Sequence, residues 1–226
     1  MTPAPLAAML SLLAVTLLAS FLLGMRHATD PDHVVAVATI VSRERAAARA
    51  AGIGALWGLG HTVTILVVGG AIILFKFSIS ARVGLSMEFA VAVMLVALGV
   101  FNTVGGFRAA PGDALRPTSL PPLLVGTVHG LAGSGAAALL VMSLIPDPRW
   151  AAGALLVFSL GTILGMSAVT LAIALPSAYA GSRVVRLQRG LRVASGVVSA
   201  CFGLYVAHRI GFIDGLFTAN PQWTAR

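Results

Sequence analysis

Long uncharged runs dominate this chain and decide what it can fold into. Residues 4–25, 51–75, 120–144 and 150–176 contain no Asp, Glu, Lys or Arg, and the runs 87–104 and 193–210 hold only Glu88 and Arg209. A helix needs about 20 predominantly apolar residues to cross the hydrocarbon layer of a bilayer. Charged residues make up 10% of the chain, against roughly 25% in soluble domains, and mean hydropathy is +0.97. The sequence therefore predicts an all-α, polytopic integral membrane protein with about six transmembrane helices. They run over 5–25 continuing into 31–42, then 51–75, 87–104, 120–144, 150–176 and 193–210.

The first of these is too long for one straight crossing and too short for two comfortable ones. Pro31 offers a break, because proline removes a backbone donor and clashes with the preceding turn. A first helix broken there is the preferred reading; two crossings would move the N-terminus to the other side. The N-terminus resembles a signal peptide but lacks a basic leading region, and the long apolar stretch is expected to stay as a membrane segment.

All but Lys76 of the 15 basic residues are arginine, and they sit in the gaps between apolar runs. Arg43, Arg45, Arg49, Arg108, Arg116, Arg183, Arg186, Arg189 and Arg192 cluster on one side. Lys76, Arg82, Arg149, Arg209 and Arg226 fall on the other. The positive-inside bias then puts loops 43–50, 105–119 and 177–192 in the cytoplasm of a multi-pass protein of the cell inner (cytoplasmic) membrane, with both termini outside. The net charge of +8 is a mark of orientation at an anionic lipid surface, not a nucleic-acid footprint. Cys201, alone in an apolar run, excludes a disulfide framework.

One transmembrane domain is expected over 1–226, with halves of about 1–104 and 120–210 joined by the proline-rich 105–119 loop. Spans 1–3 and 4–6 would run in opposite directions, as a 3+3 inverted repeat requires. Gly58-Leu59-Gly60-His61-Thr62 and Gly126-Thr127-Val128-His129-Gly130 are faintly alike. The tail from Gly211 carries no legible signal.

One polar stretch interrupts the apolar background: Arg26-His27-Ala28-Thr29-Asp30-Pro31-Asp32-His33. Ionisable groups at bilayer depth cost about 3 kcal/mol each even on the lenient insertion scale, so they mark function by default. Asp30 as N-cap and Pro31 as first helical residue would start a half-helix. A break there lets His27 converge with Asp32 and His33. The alternative is a plain cap at Asp30-Pro31, with Asp32 paired to Arg26. Two imidazoles and two carboxylates without a thiolate suit Ni²⁺, Co²⁺, Zn²⁺ or Mn²⁺ and argue against Cu⁺. His27, Asp30, Asp32 and His33 are therefore candidate metal ligands.

His27-x4-Asp32-His33, preceded by Gly24-Met25-Arg26, resembles the His-x4-Asp-His motif of the nickel/cobalt transporter family. Trp57-Gly58-Leu59-Gly60-His61-Thr62 is similar to the Leu-Gly-His-Ser/Thr motif of that family's next helix. Together the two cover residues 24–62. The family's Gly-Phe-Asp-Thr motif and later Asp have no counterpart, and His129-Gly130-Leu131-Ala132-Gly133-Ser134-Gly135 stands instead. The chain looks more like the compact permeases linked to urease maturation. That resemblance implies ion binding by His27, Asp32 and His33, with His61 as partner, and uptake of Ni²⁺ or Co²⁺ for metalloenzyme assembly. The ion would be transported substrate and not a resident cofactor. The other partners it implies are the lipid bilayer, urease maturation proteins and a second copy in a homo-oligomer.

His61 and His129 each lie among glycines, where a lone intramembrane histidine binds a metal or simply bridges helices by a hydrogen bond. Both join the candidate metal ligands. Glu88 and His208 read as interfacial, and Asn102-Thr103 as a helix-end cap or a wet patch. No nucleotide-binding loop is present, and the membrane potential alone favours influx of a dication by about 4.6 kcal/mol per 100 mV. Two other activities fit the same residues: export of the same ions, and a membrane-embedded metal-dependent hydrolase. The second lacks an HExxH motif and a spare carboxylate for a general base, so no enzyme is expected.

Overall fold

The computed structural model describes residues 3–41, 44, 46–76, 79–108, 122–145, 147–179 and 185–223. Arg43, Arg45, Arg116, Arg183 and Arg226, and residues 109–121 of the proline-rich joint, lie outside them. The described residues form helices and connecting turns, without a strand: α1 (Pro3–His27), α2 (Pro31–Val41), α3 (Ala47–Thr64), α4 (Gly70–Phe75), α5 (Ala81–Arg108), α6 (Pro122–Leu144), α7 (Pro148–Tyr179) and α8 (Val185–His208). Single π-helical turns join α3 to α4 (Ile65–Gly69) and extend α8 (Arg209–Ile213).

Among the described residues, four helices are long and apolar enough to cross a membrane: Ala47–Phe75, Ala81–Gly105, Pro148–Leu175 and Arg189–Ile213. The α1–α2 pair, bent by 55° at its break, makes a fifth. A sixth was expected at 120–144. Helix α6 runs over that range with 23 residues, Pro122–Leu144, and Pro122–Gly133 within it is an apolar stretch. Helix α8 starts at Val185 rather than near residue 193, because hydropathy stops at Arg186, Arg189 and Arg192 while the helix continues through them.

The break in the first span lies at residues 28–30. The Thr29 and Asp30 amides donate to the Arg26 and His27 carbonyls at 2.8 and 3.1 Å, a tight turn that ends α1. Pro31, which has no amide to lose, then opens α2, and Val34 N donates to Asp30 O at 3.0 Å. Asp30 thus occupies the N-cap position by its backbone. Its side chain turns back to His27, and it is Asp32 Oδ1 that accepts the first-turn His33 amide, at 3.0 Å.

Helix α1 packs on α7, α3 on both α6 and α7, and α5 on α8. Water is no driving force between helices in lipid, so close packing through small residues does that work. A Cβ at Gly24 would strike the Phe158 carbonyl and one at Gly161 the Phe21 carbonyl, so α1 and α7 meet backbone to backbone. Helices α3 and α6 meet the same way, Gly60 on the Leu123 carbonyl and Gly126 on the Trp57 carbonyl. Outward-facing rows such as Leu156, Leu160 and Leu164 of α7, or Leu56, Leu59 and Val63 of α3 with Val67 of the following π-helical turn, stay exposed. Their spacing of three or four residues makes continuous apolar stripes, which lipid and not water would cover.

Two polar features differ from expectation. Asn102 is neither a cap nor solvated: it is buried in α5 and its Nδ2 donates to the Thr39 carbonyl of α2 at 2.7 Å. Thr39 Oγ1 donates in turn to the Ser195 carbonyl of α8, at 3.3 Å. The tail folds back on the bundle through Gly215, whose positive φ of 84° few other residues adopt. There Arg82 Nη2 donates to Thr218 O at 3.1 Å, and Trp223 Nε1 to Glu88 Oε1 at 2.8 Å.

Candidate metal centre

The break at 28–30 aims His27 from the end of α1 and Asp32 and His33 from the start of α2 into one volume. His61 enters it from α3 and His129 from α6, two helices held close by the reciprocal glycine contacts at Gly60 and Gly126. The His33 ring centroid lies 4.5 Å from that of His27, 5.0 Å from His61 and 4.2 Å from His129. His33, His61 and His129 are each at most 1% exposed.

Asp32 organises one side. Its Oδ2 accepts from His129 Nε2 at 3.0 Å, and its Oδ1 from His33 Nδ1 at 3.1 Å. No bond to Arg26 forms, since two imidazoles already satisfy the carboxylate and Arg26 points outward, exposed. On the other side His27 Nε2 lies 3.1 Å from His61 Nε2. Two nitrogens each about 2.1 Å from one ion and at right angles around it would be about 3.0 Å apart, so this spacing suits a shared cation.

Asp30 stands apart. It contacts His27 Nδ1 at 2.8 Å, with a side chain 47% exposed, and belongs to neither group of close ligand atoms described below. A carboxylate on Nδ1 fixes the tautomer with the proton there and leaves Nε2 as a lone pair, the arrangement common behind metal-bound histidines.

Among the described residues, two triplets hold ligand atoms all within 4.8 Å of one another: His27, His33 and His61, and Asp32, His33 and His129. Several buried polar atoms in and around them lack a hydrogen-bond partner, namely His33 Nε2, His61 Nδ1, His129 Nδ1 and Trp57 Nε1. Each such group costs about 1–3 kcal/mol, and three of the four belong to imidazoles of the cluster. Trp57 lies 5.5 Å from His33 and 5.4 Å from His129, centroid to centroid, and packs against both rings.

A cavity of about 340 Å³ reaches the cluster, lined by Asp32, His33, His129, Gly133, Glu88 and Arg209 among others. Glu88 is thus a cavity residue, not simply an interfacial one. Gly133 was also missed as a site residue. A Cβ there would lie 3.1 Å from His27 Nε2 and 3.6 Å from His61 Cε1. Its position one helical turn after His129 was the available signal, since residues four apart share a helix face.

The urease accessory protein UreH of Bacillus sp. (strain TB-90) is 35% identical over 211 residues, covering 87% of this chain and 92% of the relative. Two Arabidopsis thaliana proteins, chloroplast proteins FOR GROWTH AND FERTILITY 2 and 1, are 27% and 25% identical over 204 and 206 residues. These cover 82% and 81% of this chain, which spans about half the length of either, 54% and 56%. No family model matches the sequence. No solved structure matches it. With helices fit to cross a membrane several times and a relative matched almost end to end, the chain belongs to the family of the urease accessory protein UreH.

Proposed function

We propose that this protein is a permease that carries Ni²⁺, and Co²⁺ as a second substrate, across the cytoplasmic membrane into the cell, in support of urease maturation. The observation that carries this reading is the convergence of His27, Asp32, His33, His61 and His129 from four helices at the end of one cavity. Imidazole with a carboxylate suits Ni²⁺ and Co²⁺, and the relationship to a urease accessory protein favours nickel.

Direction rests on the cavity. It runs from the cluster toward Glu88 near the start of α5 and Arg209 after α8. Those ends lie opposite the arginine-rich loops, hence outside by the positive-inside bias. On the cytoplasmic side α2, α5 and α8 are closed together by Asn102, Thr39 and Ser195. An outward-open, inward-closed permease is the state that receives an ion for uptake.

The closure would alternate through an inverted repeat of the two halves. Its support is register. Gly24 and Phe21 of α1 face α7 as Gly126 and Leu123 of α6 face α3, and Phe158 and Gly161 of α7 answer as Trp57 and Gly60 of α3 do. Within each helix pair the offset between matched positions is constant. Gly24-x-x-His27 then corresponds to Gly126-x-x-His129, which makes His129 the second half's counterpart of His27. Together the halves form one transporter domain.

Radioactive nickel uptake by cells expressing the wild type or His33→Ala, with cobalt as competitor, tests the reading. Uptake above the empty-vector level, lost in the variant and reduced by cobalt, is expected. Accumulation below that level would make the protein an exporter, and no difference from vector would refute nickel transport.

A further inference from the structure

We propose that the ion is held at two successive positions that share His33, and that the second of them is the selective one. This rests on the metal-transport reading above. The receiving position is formed by Asp32, His33 and His129; the enclosed position, behind it, by His27, His33 and His61.

The two triplets differ in access. Asp32, His33 and His129 all line the cavity, as His27 does, and the Asp32 side chain is 33% exposed. His61 does not line it and is wholly buried. An ion from the cavity meets the complete carboxylate triplet there, and completes the second triplet only by moving inward past His27 and His33 to His61.

The shared ring can serve both. His33 Nδ1 lies against Asp32, 3.1 Å from Oδ1, and belongs to the receiving side. Its Nε2 is buried without a hydrogen-bond partner, leaving it as the nitrogen available to His27 and His61. A neutral imidazole carries one proton and offers one lone pair, so His33 ligates at one position at a time. Its proton, on Nδ1 while that nitrogen donates to Asp32, must move to Nε2 for Nδ1 to ligate, and returns to Nδ1 when Nε2 does. One ion per chain follows, handed from one face of His33 to the other.

The donor sets divide the labour. A carboxylate with two imidazoles attracts any dication and begins to strip its water. Three neutral imidazoles suit Ni²⁺, Co²⁺ or Zn²⁺ and are poor ligands for Mg²⁺, Ca²⁺ or Mn²⁺, which prefer oxygen. Asp30, 2.8 Å from His27 Nδ1 and itself lining the cavity, supplies a counter-charge beside His27. The absence of a side chain at Gly133 provides room there, since a Cβ would approach His27 Nε2 to 3.1 Å.

The test uses the purified full chain with Co²⁺ as probe, reading stoichiometry by calorimetry and donor type by X-ray and visible absorption. Wild type is expected to bind one Co²⁺. His129→Ala should keep one Co²⁺ in a nitrogen-rich site, and His61→Ala should keep one in a mixed nitrogen and oxygen site. Both should lose at least tenfold in vesicle uptake. Gly133→Ala, which removes no ligand, should behave like His61→Ala and covers the case of a histidine variant that fails to fold. Two Co²⁺ per wild-type chain would overturn alternate occupancy, and loss of all binding in folded His129→Ala or His61→Ala would mean a single site. A wild type that binds no Co²⁺ would instead overturn the metal-transport reading itself.

Discussion

Asp32 Oδ2 and His129 Nε2 lie 3.0 Å apart although 97 residues separate them in the chain. The bond ties the broken first span to α6, and so one half of the protein to the other, at the place where the ion is to be held. Removing a member of the cluster deletes a ligand without touching the glycine-mediated packing around it. His27→Ala, Asp32→Ala and His33→Ala should each abolish nickel accumulation while leaving membrane insertion intact. Isotope uptake alongside an immunoblot of the membrane fraction checks both halves of the statement.

Asp30 should behave differently from Asp32. It orients His27 through Nδ1 and leaves the chelating nitrogen untouched, and loss of such a supporting carboxylate typically weakens metal binding about 10- to 100-fold. Asp30→Ala should raise the Co²⁺ dissociation constant within that range, with donor types unchanged in the absorption spectrum, and Asp30→Asn should recover part of the loss. Abolished binding would mean that Asp30 is itself a ligand.

The backbone contact at Gly126 leaves no space for a side chain, whereas Gly153 has nothing within 4 Å of where its Cβ would be. Gly126→Leu must push α6 away from α3 and separate His129 from His61. Overpacking of this kind costs about 1–3 kcal/mol or more. A lowered melting temperature in detergent together with lost uptake is expected, and Gly153→Ala should match the wild type in both.

Asn102→Ala should loosen the cytoplasmic side. Interhelical hydrogen bonds in membranes contribute about 0.6 kcal/mol on average and up to about 1.7, and Thr39 O would lose its Asn102 donor. Melting in detergent should fall by a few degrees. Cysteine placed at buried Ala36, in a Cys201→Ser background, should become more accessible from the cytoplasmic side in this variant than with Asn102 present.

The cavity predicts a sided pattern of chemical labelling. Val91 lines it and Ala36 does not. In a Cys201→Ser background, Val91→Cys should react with a membrane-impermeant thiol reagent applied outside, and nickel should slow that reaction. Ala36→Cys should not react from that side. Labelling of Val91→Cys only from the cytoplasm would reverse the orientation.

Much of this protein was legible in the chain itself, because the bilayer is so restrictive a solvent. Uncharged runs of about 20 residues have few folds open to them, which yields the helices and, through Pro31, the break between Thr29 and Asp32. The polar octet 26–33 announced itself because nothing else that polar interrupts an apolar run. Only the tertiary structure decided how the ligands divide. Asp30 and Asp32 are alike in sequence terms, yet one braces His27 while the other bonds His33 and His129. Glu88 looked interfacial because its depth depends on where α5 sits against the cavity and on Trp223 folding back to it. Gly133 looked like packing because its neighbours His27 and His61 arrive from helices far away in the chain. Periodicity and hydropathy report what each helix offers its surroundings. Which donors meet, and which nitrogen is left without a partner, depends on contacts between helices that no single segment encodes.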